Sequence, residues 1–354
     1  MSLKIGVIGS GKIARIRHLP EILVNPQAEV GAVCDNLETR ANEMAKKYNC
    51  KAYTDYRDLL MASELDAVII AAPNIYHADM SVAALQAGKH VLCEKPMATT
   101  LVDAQRMMDA AQTSQKQLMI GHNQRLEPAH VKAKEIIQSG KLGKVLSFTA
   151  VFGHPGCEYW AIDGEKTWFF KKELAGMGVL GDLAVHKLDL LRFLLDDDYV
   201  DAVALMDTLN KTYPNGGLIN VEDNATCLLR TQKGALGTVI TSWTYQVENN
   251  SATIYGEKGV LQIYSNPDFP LAFHYDHQTG EYYRLGKKST NVEQVKSGII
   301  DVFVDAVVSG SPVPIPGIEG YKALEAVIAC QEAARTGQNI QISSGTSTFS
   351  HANQ

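Results

Sequence analysis

The 354-residue chain lacks an apolar run long enough to span a bilayer, a cluster of basic residues, and any Cys-x-x-Cys pair. Each absence narrows what the protein does. Without the apolar run no membrane span is expected. A net charge of −6, with its Lys and Arg scattered, argues against a nucleic-acid or membrane-surface partner. The six cysteines (Cys34, Cys50, Cys93, Cys157, Cys227 and Cys330) read as buried, reduced thiols of a cytoplasmic protein rather than a disulfide framework. His18, His77, His122 and His186 show no paired ligand spacing, so no metal is expected. The first strand begins within a few residues of Met1, which we read as leaving no room for a leader peptide.

What is present is a soluble globular composition, 45% hydrophobic and 20% charged, and a length that suggests two domains. The first third alternates buried strands with helices. Strands are expected at Leu3–Ile8, Glu29–Cys34, Ala67–Ala72, His90–Cys93 and Gln117–Ile120, with helices near Lys12–Val24, Leu37–Tyr48, Tyr76–Ala87 and Leu101–Ser114. Nearly all-apolar strands in such alternation predict a doubly wound parallel sheet, a Rossmann-type α/β fold. A helix at Pro128–Ser139 and a strand at Val145–Phe152 follow, then an irregular stretch over Gly153–Gly178 and an apolar helix. From Val200 to Tyr283 the chain is β-rich: Asp201–Thr208, Thr226–Thr231, Leu236–Tyr245, Ala252–Tyr255, Val260–Tyr264 and Leu271–Tyr275. Helices at Val295–Ser309 and Ile318–Thr336 close the chain, and the Ser/Thr/Asn-rich tail is expected to be disordered. The expected division is residues 1–122 for the parallel-sheet domain, 123–342 for a second α/β domain, and 343–354 for the tail.

Two constellations carry chemistry. Gly9-Ser10-Gly11-Lys12-Ile13-Ala14 follows a strand and opens a helix; glycines there let the backbone approach a pyrophosphate, and the helix amides meet it. Asp35, at the end of the second strand, is placed to accept from a ribose 2′-hydroxyl, which favours NAD over NADP, or else to cap the next helix. Arg40 could meet a 2′-phosphate, which keeps NADP open, or simply face solvent. The second constellation is the polar stripe Asp182, His186 and Asp189 within a segment of Val and Leu. At positions i, i+4 and i+7 it shares one helix face, so it forms either a buried, self-satisfied pair or the lining of a pocket. An imidazole there suits a general base. Lys95 follows a parallel strand directly, where ligands bind in open sheets; it either polarises a substrate oxygen and lowers the pKa of His186, or is an ordinary surface lysine.

GVIGSGKIA, AAPNIYHADMSVAALQAGKHVLCEKPMA and GVLGDLAVHKLDLLRFLL occur in an order and spacing that resemble, over most of the chain, the glucose–fructose oxidoreductase / inositol dehydrogenase / MocA (Gfo/Idh/MocA) family. The resemblance implies a Rossmann domain followed by an α/β domain with a large, open, mostly antiparallel sheet. It also implies hydride transfer between NAD or NADP and a hydroxyl carbon of a sugar, inositol or related polyol. It assigns Lys95 to the reacting oxygen, His186 to the general base, and Asp182 to orienting substrate or imidazole. Cofactor contacts fall to Gly9, Gly11, Lys12, Ile13, Asp35, Pro73, Asn74, His77 and Glu94, although His77 could instead cap a helix. Asn123 and Arg125 either approach substrate or brace the domain junction. Pro96 is expected after a cis bond. Ala184 stands where the family often has glycine, a mild departure.

Trp168 and its aromatic neighbours in Gly153–Gly178 form either a specificity lid or a cover for the core. A homodimer or homotetramer through the open sheet is expected. The competing functions are an NAD-dependent glycoside hydrolase with transient redox chemistry and a non-catalytic dinucleotide-binding sensor.

Overall fold

The computed structural model describes residues 2–286 and 296–342. The expected disordered tail beyond Ile342 therefore lies outside the described residues. Among those residues the strands form two sheets. The first takes β1 (Leu3–Ile8), β2 (Ala28–Cys34), β3 (Lys51–Tyr53), β4 (Ala67–Ile70), β5 (His90–Cys93) and β6 (Leu118–Ile120), all parallel, in the order β3-β2-β1-β4-β5-β6. Every residue of β4 is buried, as a central strand covered on both faces requires. The switch point of this order lies between β1 and β4, and both strands deliver their carboxyl ends to the same edge.

Helix ends follow local chemistry. The helix Glu38–Tyr48 stops at Asn49, whose φ of 50° is left-handed. The Thr100 side chain accepts from the Asp103 amide and starts Leu101–Ser114. β3 and the short helix Tyr56–Leu60 escaped the sequence reading, because three edge residues carry no periodicity. The helix expected near Lys12–Val24 contains a π-helical turn over Ala14–His18. The helix expected from Val295 begins only at Ile299, after Gly298.

The second sheet runs β14-β13-β12-β11-β7-β10-β9-β8-β15. Its strands are β7 (Val145–Gly153), β8 (Tyr199–Asp207), β9 (Asn224–Thr231), β10 (Leu236–Ser242), β11 (Ala252–Gly256), β12 (Gly259–Ile263), β13 (Leu271–His274), β14 (Gly280–Tyr283) and β15 (Ile340–Gln341). All neighbours are antiparallel except β7 and β10. Alternate residues of β8 and β9 are buried: Ala202, Ala204, Ala225, Cys227 and Leu229 face helices, while Val203, Leu205 and Leu228 stay exposed on the other side. The helix Gly317–Thr336 packs on β8 and also reaches the edge of the first sheet, where the Ile120 amide donates to the Ile315 carbonyl. A Cβ on Gly320 would meet Ile120 at 2.8 Å, so glycine permits that contact. The end of the chain thus ties the two sheets together.

The apolar segment around Asp182 is set by a close approach. Glu222 Oε1 accepts from the amides of Gly178 and Leu180, and the Val179 amide donates to the Glu222 carbonyl. A side chain at Gly178 would place its Cβ 1.9 Å from that carbonyl oxygen. From this anchored start the chain makes a π-helical turn over Leu180–Ala184 and continues as the α-helix Val185–Leu195.

Candidate active site

A cavity of about 300 Å³ opens where the carboxyl ends of the parallel strands face the second sheet. Its Rossmann wall comes from Gly11, Lys12 and Ile13 after β1, Ala71, Ala72 and Asn74 after β4, Glu94 and Lys95 after β5, and Asn123 after β6. The opposite wall comes from Phe152 and His154 at the end of β7, the aromatic loop containing Trp160, Trp168 and Phe169, and the π-turn helix with Asp182 and His186.

Lys95 is the meeting point of the two walls. Its Nζ donates to Asp182 Oδ1 and to the Asp182 carbonyl, each at 2.9 Å. The second carboxylate oxygen accepts from Trp243 Nε1 at 3.0 Å. Both ionic side chains are largely buried, at 14% and 7% exposure. An ammonium has three N–H donors, and two are taken by Asp182, which leaves one for a ligand in the cavity. The Lys95–Pro96 peptide is cis, as expected. Asp182 therefore orients the lysine, and neither of its oxygens is bonded to His186. Of the two roles expected for it, orienting substrate or imidazole, the second finds no contact here: one carboxylate oxygen accepts from Lys95 and the other from Trp243.

His186 borders the cavity beside Phe152, ring centroids 5.9 Å apart, and its Nδ1 has no hydrogen-bond partner among the described residues. Burial first, and then the Lys95 charge, drive its pKa well below 6.5. A neutral imidazole, able to accept a proton, is the form this environment favours.

Asp189 belongs to a different group. Arg125 Nε and Nη2 donate to its two oxygens at 2.8 and 2.6 Å, and Arg125 also reaches Glu319 at 2.7 Å. Arg192 joins Glu319 to Asp198. Of the two roles expected for Arg125, the contacts are those of a brace: the guanidinium ties the turn after β6 to the helices Val185–Leu195 and Gly317–Thr336 and does not border the cavity. His122 lies 3.7 Å from Asp189, and burial lowers its pKa to about 4.

The glycine loop fits a dinucleotide. Gly9 has φ 96°, and a Cβ there would strike the Ala71 carbonyl at 2.4 Å, so only glycine allows the turn. A Cβ on Gly11 would meet nothing within 4 Å, because that side of the loop is open to the cavity. Asp35 lies behind the turn. One of its oxygens accepts from the Ser10 amide at 2.8 Å, the other from the Leu37 amide at 2.9 Å. It thus holds the loop and the turn leading into the following helix, whose N-cap is Leu37 and not Asp35 as the capping alternative had it. Pro73 does not border the cavity; Asn74 does, and it donates to the Ala175 carbonyl. Both ring nitrogens of His77 lie 2.8 Å from carbonyl oxygens, those of Pro96 and Ala72, which places it as a tie between the two turns rather than a helix cap. Burial works to raise the Glu94 pKa, but the hydrogen bond and charge of His18, with Arg17 and Lys95, bring it down to about 2.

The aromatic loop both lines the cavity and packs upon itself. Trp168 stacks on Phe169 at 3.9 Å, Trp160 meets Phe169 edge-on, and all three border the cavity. Trp243, Glu248 and Asn250 were not anticipated. Trp243 lies just past the end of β10, where the strand pattern concealed that its indole turns inward to Asp182, and nothing in the sequence marks Glu248 or Asn250. Among the described residues no group of three or more His, Cys, Asp or Glu could hold a metal, and no helix is long and apolar enough to cross a membrane.

Comparison with known proteins agrees with this geometry. Residues 3–122 match the model of the Gfo/Idh/MocA oxidoreductase family with its NAD-binding Rossmann fold, and residues 130–262 match that family's C-terminal domain. A 1,5-anhydro-D-fructose reductase of Ensifer adhaerens is 30% identical over 72% of this chain and 74% of its own. A levoglucosan dehydrogenase of Pseudarthrobacter phenanthrenivorans is 29% identical over 73% of each chain. The solved structure of a levoglucosan dehydrogenase in complex with NADH and levoglucosan superposes with a TM-score of 0.84 at 26% identity, covering 97% of this chain and 100% of that one. With a Rossmann sheet, a glycine loop open to the cavity and both family models matched in order, this chain belongs to the Gfo/Idh/MocA family of NAD-binding oxidoreductases.

Proposed function

We propose that this oxidoreductase is an NAD-dependent dehydrogenase acting on a hydroxyl carbon of a sugar, inositol or related cyclic polyol. The observation that carries the reading is Lys95, fixed by Asp182 with one N–H left over, in a cavity that also contains the imidazole of His186. Gly9, Gly11, Lys12 and Ile13 would hold the pyrophosphate, with Asp35 behind them, and Asn74 and Glu94 would lie along the rest of the dinucleotide. When bound, NAD supplies a ring that exchanges a hydride with carbon.

The protein's own part is positional and electrostatic. The free Lys95 donor binds the reacting oxygen and stabilises negative charge as the hydroxyl proton departs. His186 takes that proton in oxidation and returns it in reduction. Asn123 and the faces of Trp168 and Phe152 border the space for a ring, where aromatic planes suit its C–H surface and polar groups suit its hydroxyls. The relatives named for levoglucosan and 1,5-anhydro-D-fructose support a carbohydrate-derived substrate. The exposed outer face of the second sheet, with Val203, Leu205, Leu228 and Leu236, supports a homodimer or homotetramer packed through it.

Growth of NADH absorbance on a panel of inositols, aldoses, anhydro sugars and sugar acids tests the reaction. Turnover with one substrate group is expected; NAD binding without net turnover on any member would overturn the reading. His186→Ala is expected to lower kcat by roughly 10²-fold or more while leaving NADH binding unchanged, as loss of a general base does. In the unaltered enzyme the imidazole must be unprotonated to act. Since its pKa is lowered, the acid limb of kcat/KM should lie below pH 6.5, and a limb above pH 7 would contradict the assignment. Light scattering should give the mass of a dimer or tetramer, and a monomer at micromolar concentration would refute the sheet-mediated assembly.

A further inference from the structure

We propose that Asp163, in the aromatic loop of the C-terminal domain, sets the choice between NAD and NADP by occupying Arg40. This rests on the dinucleotide binding along the glycine loop as described above. Arg40 lies in the first turn of the helix Glu38–Tyr48, immediately past the Asp35 turn, and borders the same cavity as Gly11 and Lys12. Its Nη2 donates to Asp163 Oδ1, a contact between residues 123 positions apart that bridges the glycine-loop side of the cleft and the loop opposite. Arg40 is 21% exposed and Asp163 40%, so the pair sits at the rim, within reach of solvent and ligand. The nearest acidic residue on its own helix face, Glu43, is engaged by Arg15 at 2.8 Å.

A guanidinium next to an adenosine ribose is suited to a 2′-phosphate, which it can bind with two parallel hydrogen bonds. Here Nη2 is already held by the Asp163 carboxylate, which half-neutralises the site for an anion. NADP would either displace Asp163 from Arg40 or bring a doubly charged phosphate up against the Asp163 carboxylate, with Asp35 also close by. NAD carries only a hydroxyl at that position and disturbs neither charge. The ion pair therefore discriminates by penalising the competitor, a repulsive element added to the attraction Asp35 offers NAD. Asp163 touches no reacting atom and acts through Arg40.

The test is binding of NADH and NADPH to the full chain without substrate, followed by fluorescence, for the unaltered protein, Asp163→Asn, Arg40→Ala and the double variant. Asp163→Asn keeps the shape and removes the charge. The expected result is NADPH affinity raised about tenfold with NADH affinity within twofold of the original, and loss of that gain in the double variant. Arg40→Ala alone should leave NADPH affinity no better than in the unaltered protein. Equal shifts for both dinucleotides would mean that the contact is merely a closure of the cleft and would overturn the proposal, as would no shift for either. NADH binding by the unaltered protein reports separately on the dinucleotide site, so failure there is distinguishable from failure of Asp163 as a determinant.

Discussion

The active site depends on one buried charge pair that no single sheet could make. Lys95 comes from the carboxyl end of β5 and Asp182 from a π-helical turn 87 residues later, and they meet at 2.9 Å with little water. Leaving either charge unpaired in that setting would cost several kcal/mol, on the order of 3–5 for a broken buried pair. The surrounding structure is consistent with that constraint. Trp243 satisfies the second Asp182 oxygen, the Asp182 carbonyl takes a second Lys95 N–H, and Glu222 fixes the start of the helix through two amides. The result is a lysine whose remaining donor has one direction to point.

Around this pair the two sheets are held in register by a second set of ions. Arg125, Asp189, Glu319, Arg192 and Asp198 link the turn after β6 to the helices Val185–Leu195 and Gly317–Thr336. The same long helix packs on β8 and on the edge of the parallel sheet, so neither half of the cleft can shift without disturbing it. At the cleft's rim the contacts are weaker and more exposed, as between Arg40 and Asp163. A buried floor and a more exposed rim suit the proposed dehydrogenase, in which Lys95 and His186 would keep their places while a dinucleotide comes and goes.

Much of this was legible in the sequence because the signals were local. The alternation of apolar strands and amphipathic helices up to Ile120, the glycine loop and the Lys95–Pro96 turn each follow from a few adjacent residues. The partners were less legible. Asp182, His186 and Asp189 stand at i, i+4 and i+7 on one helical face on paper, yet the structure gives each a separate environment. Asp182 turns to Lys95, His186 faces the cavity, and Asp189 pairs with Arg125. A π-helical turn at Leu180–Ala184 and an arginine 64 residues upstream decide this, and no periodicity encodes either. Trp243 was hidden for a similar reason: it follows a regular strand, and its role exists only because the strand end abuts the Asp182 turn.

Asp182, bonded to Lys95 and not to His186, is expected to act through the lysine. A double-mutant cycle on kcat/KM with Asp182→Asn and Lys95→Met tests this. Asp182→Asn should be costly in the unaltered enzyme and add almost nothing once Lys95 has been replaced. An equal loss of kcat/KM in both backgrounds would mean instead that the carboxylate acts on something other than the lysine.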